Sequence, residues 1–90
     1  DADAEVAAGL RAVHRALEID PSLAKAHAVR GRLHLVAADT AKGPRRSERA
    51  QDATASLERA LEINPFLANE LEDAVARAET LLGASESPTS

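Results

Sequence analysis

One ten-residue stretch occurs twice in this chain, and it constrains the fold more than any other feature. The first copy reads RALEIDPSLA over residues 15–24, and the second reads RALEINPFLA over residues 59–68. In each copy an Ala/Leu-rich helix ends before the proline, because the residue preceding a proline is disfavoured in the helical region. Asp20 or Asn64 is placed to cap a second helix, and the proline suits the first position of that helix. Each copy therefore predicts a helix, a tight turn and another helix.

Internal repetition on this scale is typical of helical arrays. The phrase Ala-Leu-Glu-Ile-Asp-Pro resembles the end of a tetratricopeptide repeat (TPR), where helix B turns through a proline into helix A of the next repeat. The resemblance covers residues 6–82. It places the repeat's structural positions at Gly9, Ala16, Pro21, Gly31, Ala53, Leu57, Ala60 and Pro65.

The chain departs from the TPR pattern in two ways. The family's Trp, Leu and Tyr positions on helix A hold His27, Arg30 and His34. We expect the two histidines to replace core aromatic side chains at the seam between helices A and B. The repeat prolines stand 44 positions apart (65 minus 21), whereas the family repeats about every 34 residues. We expect the surplus to lie in the turn between helices A and B, around residues 41–47.

The spacing of apolar residues predicts an all-α fold of four antiparallel helices. Their expected bounds are residues 4–19, 21–38, 46–63 and 65–82, with Ser47 as a candidate cap of the third. The TPR resemblance implies that residues 1–82 form one short right-handed solenoid: a half repeat, a full repeat with a long A–B turn, and a half repeat that caps the array. Gly83 is expected to end the last helix, and residues 83–90 are expected to form a disordered tail.

The first helix is expected to have an open apolar face, because it resembles a helix B without its helix A. Independent arrays usually need about three repeats. We therefore expect this face to be covered by an upstream helix or by a second copy of the chain. The chain begins at Asp1 without Met, and we expect it to be a piece of a longer protein.

The composition limits the kind of function. Phe66 is the one aromatic residue and the chain has no Met, Trp or Cys, so the core must be thin and built from Ala, Leu and Val. No apolar run approaches the roughly 18 residues of a membrane helix, and no secretory signal is visible. We expect a cytoplasmic protein without membrane contact. Arginine outnumbers lysine nine to two and alanine is abundant, which suggests a bacterial source.

The residues that could support catalysis are few. His27 and His34 share a helix face but lie two turns apart, roughly 10 Å by helical rise, so one ion cannot bridge them alone. The sequence has no His-x3-His pair and no Gly-x-Ser-x-Gly motif, and its glycines form no phosphate-binding loop. We predict a protein that is not an enzyme and that needs no metal or cofactor.

The charge is segregated along the chain. Residues 1–20 carry −3, residues 21–49 carry +5 and residues 50–90 carry −6, which together give the net −4. A positive middle between negative ends can pair internally, pair between copies in a homo-oligomer, or attract an acidic partner. The basic group Lys42, Arg45, Arg46 and Arg49 offers a contact for nucleic acid phosphates, but the chain is acidic overall and lacks aromatics to stack on bases. We favour a solvated, charged turn.

The TPR resemblance also implies a binding surface. Peptides lie along the concave face of such arrays, which helix A mainly lines. The corresponding positions are Lys25, Ala28, Arg32 and Leu35, with Val29 and Val36 beside them. This predicts a non-catalytic protein–protein interaction module that binds a protein or peptide segment, suited to an acidic one, through the second helix.

Two alternatives to this function stay open. The same positions can simply contact the next turn of a solenoid. The chain is also similar to helical arrays with arginine-rich inserts that trail some bacterial serine/threonine kinases, which would make it a regulatory or oligomerising appendage of a multidomain enzyme.

Overall fold

The computed structural model describes the backbone of residues 2–86 and the side chains of residues 3–83. Within that range the chain forms four α-helices and one short 3₁₀ turn, and it has no strand. The all-α class predicted from the sequence is confirmed. The elements are α1 (Ala2–Ile19), α2 (Ala24–Thr40), α3 (Pro44–Ile63), the 3₁₀ turn Pro65–Leu67, and α4 (Ala68–Glu86).

The second helix lies at the centre of the molecule. It contacts α1, α3 and α4, whereas among the described residues the backbone of α1 approaches only that of α2. α1 and α2 are antiparallel, because early residues of α1 lie near late residues of α2. α2 and α3 are antiparallel too, because the end of α2 lies against the start of α3. α2 and α4 run parallel. Arg32 donates to the carbonyl oxygen of Glu70, and two turns further along both helices Asp39 pairs with Arg77.

The core is built from small and aliphatic side chains, as the composition predicts. Leu57 and Leu71 are its largest fully buried members, whereas Phe66, the one aromatic residue, lies exposed beside Pro65. Val6, Val13 and Leu17 of α1 are also buried, but they lie outside the main cluster. That cluster joins α2, α3 and α4 and contains Ala28, Leu35, Ala38, Ala50, Ala53, Leu57, Ala60, Leu67, Leu71, Ala78 and Leu81.

Two glycines allow the helices to pack closely. A Cβ atom on Gly31 would lie 2.7 Å from Cγ of Leu57, and one on Gly9 would lie 3.0 Å from Cδ1 of Leu33. Gly31 thus brings α2 close to α3, and Gly9 brings α1 close to α2. This packing explains why α2 tolerates a residue that lowers helix stability by about 1 kcal/mol relative to Ala.

The predicted cap at the first corner is wrong. Oδ1 of Asp20 accepts hydrogen bonds from the backbone N–H (3.0 Å) and the hydroxyl (2.6 Å) of Ser22, which closes a local turn that includes Pro21. α2 therefore begins at Ala24 rather than at Pro21, and the residue before it, Leu23, has an extended backbone.

The second corner differs from the first. Oδ1 of Asn64 accepts from the N–H of Phe66 at 3.1 Å, two residues on, as Asp20 does with Ser22. Here, however, Pro65 begins a 3₁₀ turn that leads directly into α4 at Ala68. Asn64 is thus the cap of that turn.

The long turn expected between α2 and α3 is absent, which corrects the prediction for residues 41–47. Only residues 41–43 separate the two helices. Gly43 adopts a positive φ of 61° and Pro44 starts α3 immediately, so Ser47 is not a cap. α2 and α3 have 17 and 20 residues, so most of the interval between Pro21 and Pro65 is helical.

The last helix extends beyond its predicted end. Glycine ends a helix when it adopts a left-handed conformation, but in the described residues only Gly43 has a positive φ. Gly83 therefore stays helical and α4 continues to Glu86, so the expected tail does not begin at residue 83. Residues 87–90 of that predicted tail lie outside the described residues.

Candidate interaction site

The four predicted partner-binding residues lie in two different environments. Lys25 and Arg32 are exposed on α2. Ala28 and Leu35 are only 5% and 8% exposed, because they belong to the core between α2, α3 and α4. Ala28 and Leu35 are therefore not open to a partner in this structure, and the predicted surface loses these two residues.

A different combination of residues forms the exposed face of α2. Val29 and Val36 are 46% and 45% exposed, and they alternate with Lys25 and Arg32 at positions i, i+4, i+7 and i+11. Residues with this spacing lie along one side of a helix. We call these four residues the α2 stripe. It combines two cations with two apolar side chains over about three turns.

The α2 stripe is bordered by α4. Nη2 of Arg32 donates to the carbonyl oxygen of Glu70 at 3.0 Å, and Arg77 pairs with Asp39 near the far end of α2. Asp73 lies one turn before Arg77 on α4, at the i,i+4 spacing of a helical ion pair, but Arg77 reaches across to Asp39 of α2 instead. These two contacts hold α2 and α4 side by side, so a ligand on the stripe would also meet the edge of α4.

The residues assigned to repeat structure occupy the helix contacts and the corners. Ala53, Leu57 and Ala60 are buried on α3, and Ala16 is half-buried on α1. Gly9 and Gly31 lie against Leu33 and Leu57. Pro21 and Pro65 are exposed at the two corners.

His27 takes part in a series of hydrogen bonds that links the first corner to α2 and α3. Nε2 of His27 donates to the carbonyl oxygen of Pro21 at 2.9 Å, and its Nδ1 accepts from Nη2 of Arg30 at 3.0 Å. The guanidinium Nε of Arg30 donates to the buried hydroxyl of Ser56 at 2.9 Å. The contacts of His27 are thus all internal, which indicates a structural role.

His34 lies at the same seam, half-buried between α2 and α3. Its Nδ1 accepts from Nη1 of Arg49 at 3.2 Å. Burial lowers the pKa of His34 below 6.5; Asp52 acts in the opposite direction, and the positive charges of Arg49 and Arg30 add to the lowering. His34 is therefore uncharged at neutral pH, as an acceptor for a guanidinium must be.

The described side chains do not form a metal centre. Within this part of the chain, no group of three or more His, Asp or Glu residues is placed to hold an ion. His14 lies exposed on α1, 3.7 Å from the carboxylate of Glu18, whereas His27 and His34 bond to different arginines. In the described range, no helix is both long enough and apolar enough to span a membrane.

Two of the four basic residues near the α2–α3 connection, Arg46 and Arg49, form hydrogen bonds within the fold. Nε of Arg46 donates to the carbonyl oxygens of Ala38 and Ala41, and so satisfies acceptors at the end of α2. Arg49 bonds to His34. Lys42 and Arg45 are the exposed members of the group.

Comparison with protein-family models, curated proteins and solved structures gives no match to this chain. The resemblance to tetratricopeptide repeats stays a prediction.

Proposed function

We propose that this chain is a non-catalytic protein–protein interaction module that binds an extended partner segment along the α2 stripe. The observation that carries the proposal is the pairing of Val29 and Val36, both nearly half exposed, with Lys25 and Arg32 on one line of the central helix. Burying apolar surface contributes about 25 cal/mol per Å², so the two valines can supply affinity. Lys25 and Arg32 then favour a segment with acidic side chains.

We also propose the solenoid arrangement that the TPR resemblance implies. The parallel contact between α2 and α4 supports it, because consecutive A helices of such an array lie side by side. The close approaches at Gly9 and Gly31 support it as well. In this proposal α2 and α4 are helices A, and α1 and α3 are helices B.

The test uses a peptide-display library selected on the chain, followed by amide chemical-shift mapping of the selected peptides. We expect peptides enriched in Asp and Glu around apolar residues, with the largest shifts at residues 25–36. The double variant Lys25→Glu/Arg32→Glu should weaken binding at least tenfold. Arg59→Glu is the control for charge alone, since Arg59 is exposed on α3 and pairs with Glu62.

The proposed use of the stripe fails if the selected peptides shift other parts of the chain. It fails equally if Arg59→Glu weakens binding as much as the double variant does.

The other functions considered from the sequence gain less support. Nucleic-acid binding through the basic group is less supported because the chain carries a net charge of −4 and Phe66, its one Phe, Tyr or Trp residue, lies on a different part of the chain from this group. A role as a regulatory or oligomerising appendage of a bacterial enzyme, like the cytoplasmic location, remains a prediction from the sequence.

A further inference from the structure

A second surface lies on α2 away from the stripe. α1 and α3 both pack on α2, but their backbones stay apart in the described residues. The space between them is a groove with α2 as its floor. On α3 the lining residues are spaced i, i+4, i+7 and i+11: Arg45, Arg49, Asp52 and Ser56. The residues that α1 and α2 contribute to the groove have the same spacing. We call this the α1–α3 groove.

The groove is positive although the chain is acidic. It contains two aspartates, Asp3 and Asp52. Five arginines against two aspartates give +3, so the rest of a chain of net charge −4 carries −7. The five arginines are Arg11, Arg15, Arg30, Arg45 and Arg49.

Two of these arginines are held by uncharged acceptors. Arg30 donates to Ser56 and His27, and Arg49 donates to His34. These acceptors are uncharged, and among the described residues neither guanidinium forms an ion pair. These bonds hold both guanidinium groups in place. Because the two side chains are already ordered, less side-chain entropy is lost when a carboxylate binds to them.

The shape of the groove matches a short extended peptide. A line of residues from i to i+11 spans about 16 Å of helix, which accommodates about five residues of extended chain. One end is a cavity of about 700 Å³ lined by Arg11, Arg15 and Arg30, and the other is a cavity of about 350 Å³ lined by Arg45 and Arg49. Leu10 lines both cavities. The arginines thus lie in two groups, and Leu10 lies between the two cavities.

We propose that the α1–α3 groove binds an acidic peptide segment in an extended conformation. Carboxylates at the two ends of the segment pair with the two groups of arginines, and an apolar side chain between them packs on Leu10. Guanidinium groups bind carboxylates through paired N–H donors, and their aliphatic stems add apolar contact. A nucleic acid fits less well, because the groove offers no Phe, Tyr or Trp side chain for base stacking. Binding in the groove does not require any residue of the α2 stripe.

The experiment measures fluorescence anisotropy of a labelled seven-residue peptide, with Asp and Glu flanking a central Leu, added to the full chain. The comparison probes are the same peptide with Asn and Gln in place of the acids, and a single-stranded oligonucleotide of equal charge. We expect the acidic peptide to bind at least tenfold more tightly than either. Arg11→Gln/Arg15→Gln should weaken its binding tenfold or more. The control Lys42→Gln/Arg59→Gln removes the same charge from two exposed residues outside both the groove and the α2 stripe, and it should change the affinity less than twofold.

Circular dichroism of both double variants checks that their helices are intact, and Arg45→Gln tests the opposite end of the groove without altering α1. Equal losses from the two double variants would mean that net charge alone attracts the peptide, and they would overturn the proposal. Absent binding, equal binding of the amide peptide, or tighter binding of the oligonucleotide would also overturn it. Lys25→Gln/Arg32→Gln is measured as a third variant, and a loss confined to it would overturn the groove and assign this peptide to the α2 stripe.

Discussion

Three arginines determine much of the polar contact between the helices, and all three donate to uncharged acceptors. Arg30 reaches Ser56 and His27, Arg46 reaches carbonyl oxygens at the end of α2, and Arg49 reaches His34. Hydrogen bonds with one charged partner contribute about 1.5–3 kcal/mol each when they are buried. Part of the positive charge of residues 21–49 therefore stabilises the fold, while its field remains available to a ligand.

His34 should make stability depend on pH between neutrality and mild acid. Burial lowers the pKa of His34 in the folded chain below 6.5, so as the pH falls through about 6.5 the unfolded chain takes up a proton that the folded chain resists. The free energy of unfolding should fall over this interval and level off below the folded-state pKa. The measurement is urea denaturation at pH 7.5, 6.5, 5.5 and 4.5.

The matched variants for this prediction are His34→Gln and His14→Gln. The first removes the half-buried histidine and should flatten the dependence on pH. The second removes an exposed histidine of α1 and should leave the dependence in place. Parallel curves for the parent and His34→Gln would assign the effect to other groups.

At the scale of the elements, the contact between α2 and α3 depends on a residue without a side chain. A Cβ on Gly31 would lie 2.7 Å from Cγ of Leu57 and 3.3 Å from the carbonyl oxygen of Ala53. The second of these atoms belongs to the backbone of α3 and cannot rotate away. The two helices must separate to admit even a methyl group.

Gly31→Ala should therefore destabilise the chain by about 1–3 kcal/mol, the usual range for overpacking, even though Ala favours a helix by about 1 kcal/mol. Gly83→Ala is the control, because no atom lies within 4 Å of a Cβ placed there, and it should stabilise α4 by up to about 1 kcal/mol. Urea denaturation of both variants checks the prediction. A stabilised Gly31→Ala variant would show that α2 and α3 have room for a methyl group between them, contrary to these distances.

For the whole molecule, the decisive feature is the unequal attachment of the helices. α2, α3 and α4 share one buried cluster, whereas in the described part of the chain α1 contributes no residue to that cluster and its backbone approaches only α2. Regions with fewer buried contacts open at lower free energy than the core does. The first helix is thus the part of the described chain that can separate without disrupting the rest.

We expect amide hydrogen exchange to be at least tenfold faster in the middle of α1 than in the middle of α3. The readout is residue-resolved exchange at pH 7, compared at Val13 and Leu57, which are both buried. An acidic peptide bound in the α1–α3 groove should slow exchange in α1, since it would bridge α1 and α3. Equal protection of Val13 and Leu57 in the free chain would instead indicate one cooperative unit.

The sequence by itself determined the helices and the corners, because these depend on contacts between residues a few positions apart. Apolar periodicity indicates four helices, and the two Asx-Pro corners separate α1 from α2 and α3 from α4. Local bonds also explain a local error: Asp20 closes a turn with Ser22, so α2 begins later than predicted. The all-α class follows from this level alone.

Only the tertiary structure decided which faces are covered. α2 is apolar on more than one side, and its pattern cannot tell that α3 and α4 cover Ala28 and Leu35 while Val29 and Val36 stay exposed. The partner of Arg77 and the gap between α1 and α3 likewise depend on residues distant in the chain. Such contacts arise from how whole helices pack, so the exposed stripe and the groove could be located only once the helices were placed together.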